Sequence, residues 1–153
     1  RGPPHGRWLV LAGCRVSAAH AIDTRDHVAA VEAALPAVDL YDYGTVPGVK
    51  GPSGETTPGA QPSNYALVQV ERIDYPTTTA ARVARRTLWR LQLRAVGTSP
   101  NNCREIRKRL LSLESARLTI AGRTTAPLQA GPIEDARPDD SRWSALVEFT
   151  YGI

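Results

Sequence analysis

Few side chains in this sequence have the type and spacing that catalysis requires. All three histidines fall early in the chain: His5, His20 and His27. A serine hydrolase needs a G-x-S-x-G turn together with a histidine and an acid, and no such turn occurs here. The glycines Gly48, Gly51 and Gly54 do not form the G-x-x-x-x-G-K-[ST] pattern of a phosphate-binding loop. The sequence therefore predicts no catalytic residues, no cofactor and no small-molecule substrate, and we expect the protein not to be an enzyme.

Two carboxylate pairs are the only acidic clusters, Glu134-Asp135 and Asp139-Asp140. A divalent cation or an acid/base pair is the functional interpretation of such a cluster. Because Arg137 and Arg142 lie beside these acids, a solvated loop is the favoured interpretation. No histidine or cysteine stands nearby in the sequence, and no metal site is predicted.

The two cysteines, Cys14 and Cys103, belong to no C-x-x-C or Cys/His cluster and are interpreted as buried or incidental thiols. Leu11-Ala-Gly-Cys14 matches the pattern at which bacterial lipoproteins are cleaved and acylated. The apolar run before it, Trp8 to Ala12, is shorter than the roughly 7 to 15 residues of a signal peptide core. We therefore expect residues 1–22 to be an amino-terminal arm, with a processed leader as the alternative. No stretch approaches the roughly 18 apolar residues of a membrane span, so no membrane partner is expected.

The charge is distributed unevenly along the chain. The net charge is +4, but the segment from Arg82 to Arg123 holds eleven basic residues and two acidic ones, while the remainder holds eight basic and thirteen acidic. Such a division indicates either contact with nucleic acid or opposite patches that meet between copies of the chain. The candidate interface residues are Arg90, Arg94, Arg104, Arg107 and Lys108. We expect them to face acidic residues of the next copy in a head-to-tail assembly.

Two segments have the apolar spacing of amphipathic helices. The first is capped by Asp23 and ends at Pro36, with an apolar stripe of Val28, Val31 and Leu35. The second begins at Ser99-Pro100 and ends near Ala116, with an apolar stripe of Cys103, Ile106, Leu110 and Leu113.

Five further segments have strand character: Val38–Tyr43, Tyr65–Ile73, Leu88–Val96, Arg117–Ala121 and Arg142–Tyr151. In the third segment, tryptophan, leucine and alanine alternate with arginine and glutamine, which predicts one buried face and one face exposed to solvent or to a partner. The element order is thus α-β-β-β-α-β-β, an α/β (α+β) fold in a single domain over residues 23–153.

Three connections are expected to be loops. Residues 44–63 hold five glycines and four prolines and almost no bulky apolar side chain, so this loop is expected to order only against another chain. Residues 122–141 form a second Pro- and Asp-rich loop. The polar stretch 76–86 is expected to be a protruding hairpin tip.

Four segments resemble the tail terminator proteins of long-tailed, siphovirus-type bacteriophages, particularly those of actinobacterial hosts. They are NYALVQVER (64–72), WRLQLRAVG (89–97), SPNNCREIR (99–107) and WSALVEFTY (143–151). The similarity spans residues 24–153 and lies in element order and strand character.

The resemblance implies a mixed sheet flanked by two helices and a ring of six copies that caps the tail tube. It implies contact with head-completion and neck proteins above and tube protein below, at the head-tail junction of a virion assembled in the bacterial cytoplasm. Packaged DNA would pass nearby without being specifically bound. The family has no catalytic residues to carry over. A neck or head-completion protein of the same particle and a basic nucleic-acid-binding module are the alternatives.

Overall fold

A computed structural model describes residues 23–73 and 87–153 of the chain. The predicted arm (1–22) and the predicted hairpin tip (76–86) lie outside the described residues. The helices are α1 (Thr24–Ala34) and α2 (Pro100–Leu110), and a 3-10 turn (Leu111–Leu113) extends the second. The strands are β1 (Leu40–Asp42), β2 (Tyr65–Arg72), β3 (Leu88–Gly97), β4 (Thr119–Ile120), β5 (Arg123–Thr124), β6 (Gln129–Ile133), β7 (Arg137–Asp139) and β8 (Arg142–Gly152).

The main sheet is centred on β3 and β8, which pair antiparallel over ten residues of register from Leu88↔Gly152 to Gly97↔Trp143. Its strand order is β1-β2-β3-β8-β6, and β7 pairs with β8 beside β6. Only the pairing of β1 with β2 is parallel, while β4 and β5 form a separate hairpin. The predicted α+β class and the mixed, mostly antiparallel sheet are confirmed.

One face of this sheet forms the core, as the alternation of side chains predicts. Leu91 and Leu93 are fully buried, and they stand opposite Phe149 and Val147 of β8, which are also fully buried. The helices cover this face: α2 packs on β3 and β8, and α1 packs on β2 and β4. Both helices pack on this face, so the sheet has a second face, called here the open face, that the helices leave uncovered.

Both helices begin as their sequences predict. The Asp23 carboxylate accepts from the backbone N–H of Arg25 and Asp26, and Asp26 reaches back to the N–H of Asp23, which completes a capping box. Ser99 caps α2 through the N–H of Asn102, with proline at the first helical position. The stripe from Cys103 to Leu113 is buried throughout. The α-helix itself ends at Leu110, earlier than the predicted end near Ala116.

The prediction of a loop over residues 122–141 is wrong, because this segment contains β5, β6 and β7. These strands have two, five and three residues, and nearly all their side chains are exposed. Both β6 and β7 pair with the edge of the long strand β8, which supplies their backbone hydrogen bonds. Strands held by backbone pairing rather than by an apolar face leave no alternating pattern in the sequence.

The loop over residues 44–63 is also better anchored than predicted. Val46 is 3% exposed and packs with Tyr65 and Val96 on the open face, in a small cluster separate from the main core. The guanidinium of Arg142 donates to the carbonyls of Pro62 (3.0 Å) and Ser63 (2.8 Å). The segment thus has anchors in its own subunit that the sequence did not indicate, although Val46 is its one buried residue and most of its other residues are exposed. Whether it also orders against another chain stays a prediction.

Gly97 is where the backbone of β3 comes closest to α2. A Cβ placed there would lie 2.7 Å from the backbone nitrogen of Cys103 and 3.0 Å from the carbonyl carbon of Asn102. Backbone atoms at the start of a helix do not yield as a flexible side chain does. Gly97→Ala should therefore destabilise the fold by about 1 to 3 kcal/mol, as overpacking does. Urea unfolding followed by circular dichroism measures the change.

The matched control is Gly131→Ala in β6, where the nearest atom to a Cβ is the Glu148 carbonyl oxygen at 3.5 Å. This variant should stay within about 0.5 kcal/mol of the parent. Equal stability losses in both variants would show that the close approach of α2 to Gly97 is not the cause.

Candidate assembly surfaces

The five candidate interface residues lie on two opposite sides of the sheet. Arg90 and Arg94 alternate with the buried residues of β3 and therefore belong to the open face. Arg104, Arg107 and Lys108 belong to α2, which covers the other face. The interpretation of all five as one basic patch facing the next copy is therefore wrong in its geometry. Whether either group contacts another subunit stays a prediction.

Arg104 and Arg107 are engaged within the chain. Arg107 donates to the carbonyl of Glu134 (3.0 Å) and to the carboxylate of Asp135 (3.1 Å), and Arg104 contacts the same carboxylate at 3.2 Å. The hydrogen bond from Arg104 is the main reason that the pKa of Asp135 lies below its usual range. Ion pairs at this exposure are screened by water and add little to stability. Their effect is to hold the turn between β6 and β7 against α2.

Lys108 differs from its neighbours on α2. Arg109 approaches Glu105 at 3.7 Å and donates to the carbonyl of Ala37 at 3.1 Å. Lys108 is exposed and forms no ion pair with any residue that the structure describes. Among the candidate residues on α2, Lys108 is thus the cation without an ion-pair partner in the described part of the chain.

The open face carries a polar network across its central strands. Arg90 lies between two glutamates, 3.2 Å from Glu71 of β2 and 3.9 Å from Glu148 of β8. Gln92 donates to the same Glu148 at 3.2 Å. These side chains neutralise one another across the strands, so Arg90 is not a free basic residue.

A shallow groove of about 490 Å³ crosses the open face. Its floor is formed by half-buried Leu67 and Leu146, and its two ends are formed by Tyr43, which follows β1, and by Asp139 of β7. Arg94 lies within it and donates to the hydroxyl of Ser144 at 3.3 Å. Because Arg94 stands between Leu67 and Leu146 in register, and Gln69 and Gln92 also line the groove, its base is a mixture of apolar and polar side chains.

The two acidic clusters differ in their partners. The favoured interpretation, a solvated loop beside Arg137 and Arg142, holds only in part: Glu134 pairs with Arg137 at 3.0 Å, but Arg142 donates to backbone carbonyls and the segment contains strands. Asp139 and Asp140 form no ion pair within the two described ranges, 23–73 and 87–153. In these same ranges no group of three or more potential metal-ligating side chains is assembled.

His27 forms a buried polar contact that sequence reasoning missed. The ring is completely buried on the inner side of α1, 4.0 Å from the Trp89 ring between centroids, and Nδ1 is hydrogen-bonded to the Tyr151 hydroxyl. No described residue bonds to Nε2. Burial lowers the pKa of His27 against the opposing fields of Asp26 and Asp23. A histidine at an apolar helix position, one residue before Val28, is the signal in the sequence.

The burial of His27 makes the fold sensitive to acid. The folded protein holds this ring neutral, whereas the unfolded chain binds a proton near pH 6.5, the ordinary value for histidine. His27 therefore costs no stability above about pH 6.5, and the free energy of unfolding should decrease as the pH drops below this value. Thermal unfolding between pH 8 and pH 5 measures this decrease.

His27→Phe is the matched control for the pH titration, because phenylalanine keeps a ring against Trp89 and has no proton to bind. Its melting temperature should fall less over the same pH range. Parallel curves for the parent and the variant would assign the acid sensitivity to other groups.

Comparisons with known proteins bear on the fold. No protein-family model matches the chain, and no curated protein matches it. A solved structure whose name describes no activity is similar over 86% of this chain and 95% of its own, with a TM-score of 0.53 at 16% identity. At this identity the likeness shows a shared fold alone. Within the part of the chain that is described, no helix is long and apolar enough to cross a membrane.

Proposed function

We propose that this chain is a structural protein of a tailed bacteriophage, of the tail terminator type, which forms a ring on the tail tube and joins it to the head-neck complex. Its partners are other copies of itself, six in a closed ring, with tube protein on one side and head-completion proteins on the other. Its place is the head-tail junction of the virion. The chain acts by binding and carries out no reaction.

The observation that carries this proposal is where the four family-like segments lie in the fold. They are spread over residues 64–151, and they form β2, β3, the first part of α2, and β8. These elements are adjacent: β3 pairs with both β2 and β8, and α2 packs on β3 and β8. The resemblance thus falls on one contiguous unit at the centre of the domain, which is where a shared architecture is expected to be strongest.

The surface chemistry supports an assembly protein more than a nucleic-acid-binding module. A module that binds phosphates needs arginines whose guanidinium groups are free. Arg90, Arg104 and Arg107 all contact carboxylates of their own chain. The groove on the open face mixes leucines with polar side chains, a composition that suits a protein partner.

Ring formation is the first test. Native mass spectrometry and sedimentation of the purified full chain should show one closed oligomer, six copies by resemblance to the family. A chain that remains monomeric up to about 100 μM, where weak interfaces associate, would contradict the proposal. Binding to duplex DNA at about 0.15 M salt, measured by fluorescence anisotropy, should be negligible; tight binding without a ring would favour the nucleic-acid-binding module.

A second measurement separates a tail terminator from a head-completion protein. The ring should bind the ends of tubes assembled from the tail tube protein of the same phage, and it should stop their growth in negative-stain images. Rings that do not bind tube ends but bind the neck complex on the head side would favour the head-completion alternative.

A further inference from the structure

The open face of the sheet is covered at one end by the loop over residues 44–63. There Val46 packs on Tyr65 and Val96, and both of these side chains are nearly fully buried. The neighbouring row across β2, β3 and β8 lies in the groove and consists of three half-buried side chains: Leu67, Arg94 and Leu146. It is therefore the first row of the open face that stays partly exposed.

Arg94 is a half-buried cation that uses little of its hydrogen-bonding capacity. A guanidinium carries several N–H donors. Within the described chain Nη1 donates to the Ser144 hydroxyl at 3.3 Å, and Arg94 forms no ion pair with any residue in residues 23–73 and 87–153. The leucines on either side of it offer no acceptor. A charge among apolar side chains without a counter-ion costs free energy, so an anion from outside the subunit would be stabilising here.

We propose that Arg94 anchors a docking site for an acidic segment of a partner protein. A carboxylate of that segment pairs with the guanidinium, and apolar residues beside the carboxylate pack on Leu67 and Leu146. The planar fork of a guanidinium matches the two oxygens of a carboxylate, and such bidentate pairs are among the stronger hydrogen bonds in proteins. The inference goes beyond the proposed ring, because it names the chemistry of a partner and not the number of subunits.

The charges around Arg94 favour a single carboxylate over a polyanion such as nucleic acid. Asp139 lies at one end of the same groove, and Glu148 stands in the next row, opposite Gln92. Like charges oppose binding, so a phosphate backbone with closely spaced charges would meet repulsion from these two acids. One carboxylate flanked by apolar residues meets Arg94 and the leucines instead.

Arg90 provides an internal comparison on the same strand and the same face. Its guanidinium lies 3.2 Å from Glu71 and 3.9 Å from Glu148. The charge of Arg90 is thus balanced by its own chain, and a carboxylate from a partner would compete with carboxylates already in place. We therefore expect partner binding to depend on Arg94 and not on Arg90.

Selection of a displayed library of short random peptides on the purified full-length chain tests the site. Peptides with Asp or Glu beside leucine, isoleucine, valine or phenylalanine should be enriched. In fluorescence anisotropy, a synthetic copy of the most enriched peptide should bind Arg94→Gln about tenfold more weakly than the parent. Changing the acidic residue of the peptide to its amide should cause a similar loss on the parent and no further loss on Arg94→Gln. A selection that yields no acidic peptide dependent on Arg94 would overturn the inference.

The matched control is Arg90→Gln, which should bind the peptide as the parent does. An equal loss in both variants would assign the effect to the net charge of the open face and overturn the site. The melting temperature of Arg94→Gln should stay within about 2 °C of the parent, since a single hydrogen bond to a hydroxyl is removed. A larger decrease would make Arg94 a residue of the fold and would also overturn the inference.

The same variants distinguish this inference from the proposed ring. If the acidic segment belongs to a second copy, Arg94→Gln should raise the concentration at half-assembly about tenfold, and Arg90→Gln should leave it unchanged. Rings that form equally well in the parent and in Arg94→Gln, together with peptide binding that depends on Arg94, would assign the segment to a different protein. A chain that stays monomeric but binds the acidic peptide through Arg94 would overturn the ring and leave the docking site standing.

Discussion

The pairing of β3 with β8 is the constraint on which the rest of this structure depends. Ten residues in continuous register fix the alternation of both strands, so that Leu91, Leu93, Val147 and Phe149 share one face. A shift by one residue would expose the whole set to water. Both helices must then lie on that face, because only there is apolar surface available to their stripes. The open face is the consequence of the same register.

The central strands and both helices could be predicted from the sequence because each is long enough to repeat its pattern. The short strands β6 and β7 could not, since their pairing depends on the edge of β8 and not on their own side chains. The two residues of β5, which pair with β4, are too few to form a pattern. The anchoring of residues 44–63 was missed for a related reason. Val46 is a single buried contact in a segment rich in glycine and proline, and a single residue has no period.

The candidate residues show a different limit of sequence reasoning. A charge balance along the chain does not separate the two faces of a sheet. Here α2 begins three residues after Gly97, and this short connection moves the chain from the sheet to its covered face. Basic residues adjacent in the sequence therefore emerge on opposite sides. The contact of His27 with Tyr151 spans 124 positions, and no local pattern reports a pair so distant. The type and order of the elements were predictable, but their partners were not.

If the chain assembles as proposed, its free subunit must remain soluble first, and the open face has features that suit both states. Its apolar side chains are dispersed among cross-strand polar contacts such as Arg90 with Glu71, so a free subunit presents no continuous apolar patch to water. These contacts are made within the subunit and need not break when a partner arrives. The turn between β6 and β7 is held in the same way by Arg104 and Arg107. Arginines engaged in these internal contacts thus hold the open face and the turn beside α2 in place. In the proposed assembly this would lower the entropy lost when subunits associate.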